Sequence, residues 1–306
     1  DSAANVQSSA STLTVTVDTT VPTAATALAL AATGGTNQVA NALNAGNVNF
    51  TVTATITGDV GSGGGTAELL VGGLSFSTPV TASVASGATL VSLTPSFTTT
   101  TAVQAAMTAG SKSLTVKLTD SAGNVATSSA LSVLADYTDP TAATALVFAA
   151  SGGTVVANTL NATNTNFTVT ATVIGDVGSG GGTAELLVGG ASFSTPITAS
   201  VASGATTVSL TPSFTTTTAV QAAMTTGSKS LTVKLTDSAG NTATSSGNGN
   251  TVTVTNDYAA PTVSTVTSST TAGSYKAGGT VALTVTFSEA ITSTGSSSLL
   301  LETGST

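Results

Sequence analysis

Apolar and polar residues alternate with a period of two along most of this chain. Leu114, Val116 and Leu118 alternate with Thr115, Lys117 and Thr119, and Phe50, Val52, Ala54 and Ile56 alternate with threonines. This is the pattern of strands that bury one face. The run Lys112–Thr119 leads into Asp120-Ser-Ala-Gly-Asn124, in which Gly123 is free to take a positive φ and Asp120 to bond nearby backbone. A second alternating run follows, so the segment predicts a β-hairpin. Lys112–Asn124 returns unchanged as Lys229–Asn241, 117 residues further on. The chain is an array.

In the first copy the pattern predicts strands over residues 24–32, 50–56, 66–71, 75–84, 89–97, 112–119 and 125–136, with a short helical turn over 100–107. Seven short strands in roughly 118 residues, separated by Gly/Ser turns, predict an immunoglobulin-like sandwich. Proline marks the module boundaries at Val21-Pro-Thr, Asp139-Pro-Thr and Ala260-Pro-Thr, where it fixes φ and restricts the residue before it. The predicted fold class is all-β, with tandem immunoglobulin-like β-sandwiches arranged end to end. Residues 1–20 read as the last strand of a preceding domain, 21–138 and 139–260 as two repeats, and 261–306 as the first part of a third, different β-sandwich. In that tail Val281, Leu283, Val285 and Phe287 share a face. Asp1–Val17 and Tyr275–Leu301 are both expected to be ordered only when completed by other chain.

Composition excludes more than it suggests. The 306 residues hold five lysines, no arginine and thirteen acids, for a net charge of −8 and a pI near 4.1. That balance disfavours phosphate backbones, so no nucleic-acid partner is expected. Mean hydropathy is +0.40, yet the longest apolar runs, 27–32 and 145–150, fall far short of the ~18 residues of a spanning helix. No membrane insertion is expected in this segment. Without Cys or His, Ser-His-Asp and Cys-His catalysis and His or thiolate metal sites are ruled out. The glycine-rich stretches Gly58–Gly65 and Gly175–Gly182 lack the Gly-Lys-Ser/Thr of a phosphate loop. Glu68 and Glu185 read as solvated residues of a sheet face, and Lys117 as a solvent-facing charge that guards its strand. No enzymatic activity is expected.

Asp-Ser-Ala-Gly-Asn after an alternating strand, with Asp-Pro-Thr at a domain start, resembles the bacterial immunoglobulin-like repeats of giant surface adhesins. Tyr275-Lys-Ala-Gly-Gly-Thr280, Val285-Thr-Phe-Ser-Glu-Ala-Ile291 and Leu299-Leu-Leu-Glu-Thr-Gly304 resemble another repeat type of very large secreted bacterial proteins. The resemblance covers nearly the whole chain. It implies an extracellular, cell-surface or secreted setting and a non-catalytic stalk or fibre segment of an adhesin or biofilm matrix protein. The alternative is a self-assembling surface-layer or filament subunit completed by strands of neighbouring chains. The partners implied are neighbouring copies or domains of the same protein, with a surface or glycan ligand elsewhere in the parent. Such repeats often bind calcium at domain junctions.

The acids give that implication a place. In an immunoglobulin-like sandwich the second-to-third and sixth-to-seventh strand loops share one end with the start of the first strand. That end would gather Asp18, Asp59 and Asp120 in the first repeat, and Asp136, Asp139, Asp176 and Asp237 in the second. These seven are over half of the thirteen acids. Aspartate as a turn residue accounts for each singly. Their convergence calls for a counter-ion, and carboxylates with backbone carbonyls make a hard-oxygen site suited to Ca²⁺.

Overall fold

The computed structural model describes Ala3, Leu13, residues 15–58, 60–61, 63–175, 177–178, 180–292 and Ser298. By backbone proximity the chain groups into two compact units, residues 1–147 with 169–210 and 231–252, and residues 148–168 with 211–230 and 253–306.

The first unit contains the complete first repeat. Its elements are β1 (Thr26–Thr33), β2 (Ala42–Leu43), β3 (Asn49–Thr55), β4 (Gly65–Val71), β5 (Leu74–Val84), β6 (Leu90–Leu93), α1 (Thr100–Ala106), β7 (Gly110–Asp120), β8 (Val125–Thr127) and β9 (Leu131–Ala135). One sheet runs β1-β3-β6; the other runs β2-β9-β7-β4-β5, with β8 on β7. The period-two reading of β3 is met residue by residue: Phe50, Val52 and Ala54 are fully buried and the residues between them are half-buried. Phe50 of one sheet meets Phe76 of the other and Phe97, with ring centroids 6.3 and 6.0 Å apart. Leu30, Val91 and Leu93 from the first sheet and Leu69, Val80, Leu114, Val116 and Leu118 from the second complete one core. The fold is an all-β sandwich.

The predicted hairpin is present, with Lys117 opposite Thr127 and Thr119 opposite Val125, closed by the Asp120 amide donating to the Asn124 carbonyl at 3.0 Å. The single last strand expected over 125–136 is instead two strands. At the break, Ser128 Oγ accepts from the Val116 amide at 2.9 Å, standing in for a ladder carbonyl. The helical turn is a seven-residue helix whose first turn is capped by Thr99, its Oγ accepting from the Ala102 amide at 3.2 Å. β2 lay outside the sequence reading. It pairs parallel to β9, with Leu43 opposite Ala135, and the Asp136 amide donates to the Leu43 carbonyl at 2.9 Å. That pairing sets where the linker leaves the first repeat.

The second repeat has the same elements: β10 (Thr144–Ser151), β11 (Thr159–Leu160), β12 (Asn166–Thr172), β13 (Gly182–Val188), β14 (Ala191–Val201), β15 (Thr207–Leu210), α2 (Thr217–Ala223), β16 (Gly227–Asp237), β17 (Thr242–Thr244) and β18 (Val252–Asn256). The sheets are again β10-β12-β15 and β11-β18-β16-β13-β14, with β17 on β16. In the tail, β19 (Val263–Ser268) pairs antiparallel with β20 (Leu283–Phe287). Their apolar residues Val263, Val266, Leu283 and Val285 are exposed. The strand expected at the start of the chain lies mainly outside the described residues; Leu13, Val15 and Val17 are exposed. Among the described residues no helix is long and apolar enough to cross a membrane.

Candidate functional site

Alternation along β7 makes Leu114, Val116 and Leu118 point inward, and the same register carries Asp120 inward too. A buried carboxylate must be hydrogen-bonded, and the five-residue turn supplies the donors. Asp120 Oδ1 accepts from the Ala122 amide at 2.9 Å and the Asn124 amide at 2.8 Å, and Oδ2 accepts from Asn124 Nδ2 at 2.9 Å. The Asn124 side chain foremost, then the turn amides, hold the Asp120 carboxyl below its usual range against the opposing pull of burial. Asp237 repeats the arrangement, accepting from Ala239 at 2.8 Å, Asn241 at 2.9 Å and Asn241 Nδ2 at 2.8 Å.

Each turn also grips a linker. Asn124 Nδ2 donates to the Asp18 carbonyl at 3.1 Å, and Asn241 Nδ2 donates to the Asp136 carbonyl at 3.0 Å. The linker aspartates close small turns of their own. Asp18 Oδ1 accepts from Thr20, Asp136 Oδ1 from Thr138 and Asp257 Oδ1 from Ala259, at 2.9, 3.0 and 3.1 Å. Tyr137 donates its hydroxyl to the Met107 carbonyl at the end of α1, as Tyr258 does to Met224 at the end of α2. Burial pushes both phenols up to about 12.

Inside the first unit the two repeats meet at the turn Asp237–Asn241. Asn44 Nδ2 donates to the Ala239 carbonyl at 3.2 Å and to the Asn37 carbonyl at 3.3 Å, while the Ala45 amide donates to Asn241 Oδ1 at 2.8 Å. Asn44 is held for this by its amide bond to Asn47 Oδ1 at 2.7 Å and by the Gly46 amide, which donates to its Oδ1 at 3.0 Å. Gly240 has φ +95°, and a methyl group there would run into the Asn37 carbonyl. Gly123, the same residue of the same turn with the same φ, has open space around it. The covering loop buries Ala239 fully and leaves Asn241 4% exposed, whereas Ser121, Ala122 and Gly123 are exposed. Five identical residues therefore differ only in what lies over them.

Of the acids expected to converge, the structure joins Asp18 to the Asp120 turn and Asp136 to the Asp237 turn through the two asparagines. The carboxylates of Asp18 and Asp136 also lie beside Gly61 and Gly178 of the glycine-rich loops. Asp59 and Asp176 lie outside the described residues, and Asp139 is exposed. Asp257 occupies the same place in its linker as Asp136; its signal was the repeated Asp-Tyr of 136–137 and 257–258. It faces Glu289, whose carboxyl is raised by desolvation first and then by the Asp257 charge and hydrogen bond. The turn acids Asp120 and Asp237 already accept three hydrogen bonds each. Among the described residues no three acids come together.

One expectation is corrected. Glu68 and Lys117 are not separately solvated but sit directly opposite each other on β4 and β7 as an ion pair. Ser75 Oγ also donates to Glu68, and Lys234, Glu185 and Ser192 repeat the arrangement. In both repeats the Glu carboxyl is lowered, first by the lysine and next by the serine.

No family model and no curated protein matches the chain. Solved structures similar to it include three that follow. A Ca²⁺-stabilized adhesin with which an Antarctic bacterium binds ice is 21% identical at TM-score 0.34, over 81% of this chain and 52% of that one. Fibronectin(III)-like modules of Clostridium thermocellum CbhA are 13% identical at TM-score 0.37, over 71% and 89%. A 1.5-MDa bacterial ice-binding adhesin is 19% identical at TM-score 0.31, over 71% and 60%. The chain spans about half the length of the first. At TM-scores this low none of them supports a functional reading, which rests on the junction's own residues.

Proposed function

We propose that this chain is a non-catalytic, extracellular stalk or fibre segment of a large repetitive bacterial surface or secreted protein, of the adhesin or biofilm-matrix kind, with its sandwiches end to end. The observation that carries this reading is the burial of the Asp237–Asn241 turn under the loop of the preceding repeat. A flexible string of domains has no use for it. A junction closed by Asn44, Ala45, Asn241 and the Asp136 carbonyl fixes one module against the next, as a load-bearing array needs.

Calcium belongs to the same reading. The proposed sites draw on Asp18, Asp59 and Asp120 at one junction and on Asp136, Asp139, Asp176 and Asp237 at the next; the Asp257–Glu289 contact supports such a meeting of linker and loop acids. Extracellular modules bind Ca²⁺ at roughly 10⁻⁴–10⁻³ M, so the sites would fill outside a cell. At 100 times the dissociation constant one site adds about 2.7 kcal/mol. Excess calcium should raise the melting temperature over that in chelator, and Asp136→Asn should shrink the difference. Equal melting with and without calcium would leave these acids as turn residues only.

A second reading, a lattice or filament subunit completed by neighbouring chains, is favoured by the exposed apolar residues of β19 and β20.

A further inference from the structure

We infer that Asn248 is a self-modification site, where the chain converts this asparagine to aspartate and isoaspartate with water as the only co-reactant. The inference stands apart from the stalk reading, because it rests on one loop of the second repeat.

Asn248-Gly249 is the only Asn-Gly step in the sequence. Residues 245–251 join β17 to β18, where the shorter stretch 128–130 joins β8 to β9 and holds no asparagine. A turn reverses the longer connection: the Asn250 amide donates to the Gly247 carbonyl at 3.2 Å, and the Thr251 hydroxyl donates to the same oxygen at 3.3 Å. Asn248 and Gly249 are both exposed. Among the described residues neither the Asn248 side chain nor the Gly249 amide has a hydrogen-bond partner. Gly247 and Gly249 take φ of +83° and +82° with open space around them, so no packed side chain restrains the residue between them. A segment with so few contacts opens at little cost in free energy.

The reaction needs that freedom. The Gly249 nitrogen gives its proton to solvent base and bonds to Asn248 Cγ. The Cγ–Nδ2 bond breaks, ammonia leaves, and a cyclic imide closes. Water then opens the imide at either carbonyl, giving aspartate from one and isoaspartate from the other. Glycine, with no Cβ, leaves the attacking nitrogen unshielded. The new carboxyl has an ordinary pKa of about 3.9 and is ionised at neutral pH, so one more negative charge joins a chain already at −8.

The fold withholds the same chemistry from the other asparagines that precede a small residue. Asn41 Oδ1 accepts from the Leu30 amide at 2.8 Å, and the Ala42 amide is engaged with the Val39 carbonyl at 3.3 Å. Asn44 is held at both side-chain atoms, and the Ala45 amide donates to Asn241 Oδ1. Asn161 Oδ1 accepts from the Thr163 amide at 3.0 Å, while Nδ2 donates to the Thr154 carbonyl at 2.7 Å. Asn248 alone of these four has neither its side chain nor the following amide tied.

The intact folded chain, held at mildly alkaline pH in water labelled with heavy oxygen and then mapped by mass spectrometry, should convert at Asn248 and spare Asn41, Asn44 and Asn161. The product should carry one heavy oxygen, contain more isoaspartate than aspartate, and form faster as pH rises. Asn248→Gln, which would have to close a larger ring, should lose the conversion while circular dichroism and melting stay unchanged. In urea strong enough to unfold the chain, Asn41, Asn44 and Asn161 should begin to convert as well. An Asn248 that stays intact in the folded chain while a peptide of residues 246–251 converts would overturn the inference. So would conversion of Asn41, Asn44 or Asn161 in the folded chain as fast as that of Asn248.

Discussion

At the scale of single residues, the duplicated turn supplies its own control. Gly123 and Gly240 share a φ of +95°, so alanine at either costs about 1–2 kcal/mol for the left-handed backbone. Only at Gly240 does the methyl group also strike the Asn37 carbonyl. Opening that contact forfeits the Asn44 and Ala45 bonds to the turn, each worth about 1 kcal/mol. Gly240→Ala should therefore melt lower than Gly123→Ala; equal melting of the two would show that the 37–45 loop adds no stability. The linker tyrosines make a second residue-level test. Burial raises Tyr137 and Tyr258 from 10 to about 12, so their stabilising effect is complete below pH 10 and is lost as pH rises through 12. An ultraviolet titration of the folded chain should show two phenols ionising near pH 12. Tyr137→Phe should remove one of them and lower stability by about 1 kcal/mol, for the bond to the Met107 carbonyl. Both phenols titrating near pH 10 would mean that the linkers are not packed down as described.

At the scale of elements, β4 and β7 are held in register by Glu68 opposite Lys117. The Glu68 carboxyl is lowered from 4.5, by Lys117 and then Ser75. Its contribution is present above pH 4.5 and is lost as pH falls through the lowered value. A partly exposed pair of this kind is worth about 0.2–1 kcal/mol. Glu68→Gln should cost about that much at neutral pH and little in acid, so melting curves that converge on acidification are expected; a constant gap would contradict the pairing. The sequence announced β4 and β7 individually, β7 by its unbroken period-two pattern and β4 by a short apolar run bounded by glycines, but not their pairing, which is set by the fold and not by spacing. The Asp120–Asn124 hairpin was legible because strand, turn and strand are local. β2 was not, since a two-residue parallel pairing has no period to read. The split at Ser128 was hidden because Val125, Leu131, Val133 and Ala135 fall on one parity and read as a single run, whereas Val125 is exposed and Val133 and Ala135 are buried. Of the candidate site, Asp18, Asp120, Asp136 and Asp237 were legible as linker and turn acids. Asn44, Asn241 and Tyr137 were not, because Ala45 meets Asn241 across 196 residues and a polar loop shows no sign of what it will cover.

At the scale of the molecule, near-identical sandwiches differ chiefly in how they are joined. Seven differences in 80 aligned positions between the repeats leave most of the two cores alike, the first strand adding one core change, Phe148 on Phe167 where the first repeat has Leu30. Near-identity also favours swapping between neighbours, and a loop-on-turn lock opposes it by specifying which domain follows which. The most direct measurement is solution X-ray scattering on the intact chain beside Gly240→Ala. If the sandwiches stand end to end as proposed, the wild type should scatter as a rod, with the variant shorter on average as its junction becomes a hinge. A compact globular profile for the wild type, or superimposable curves for the two proteins, would contradict it.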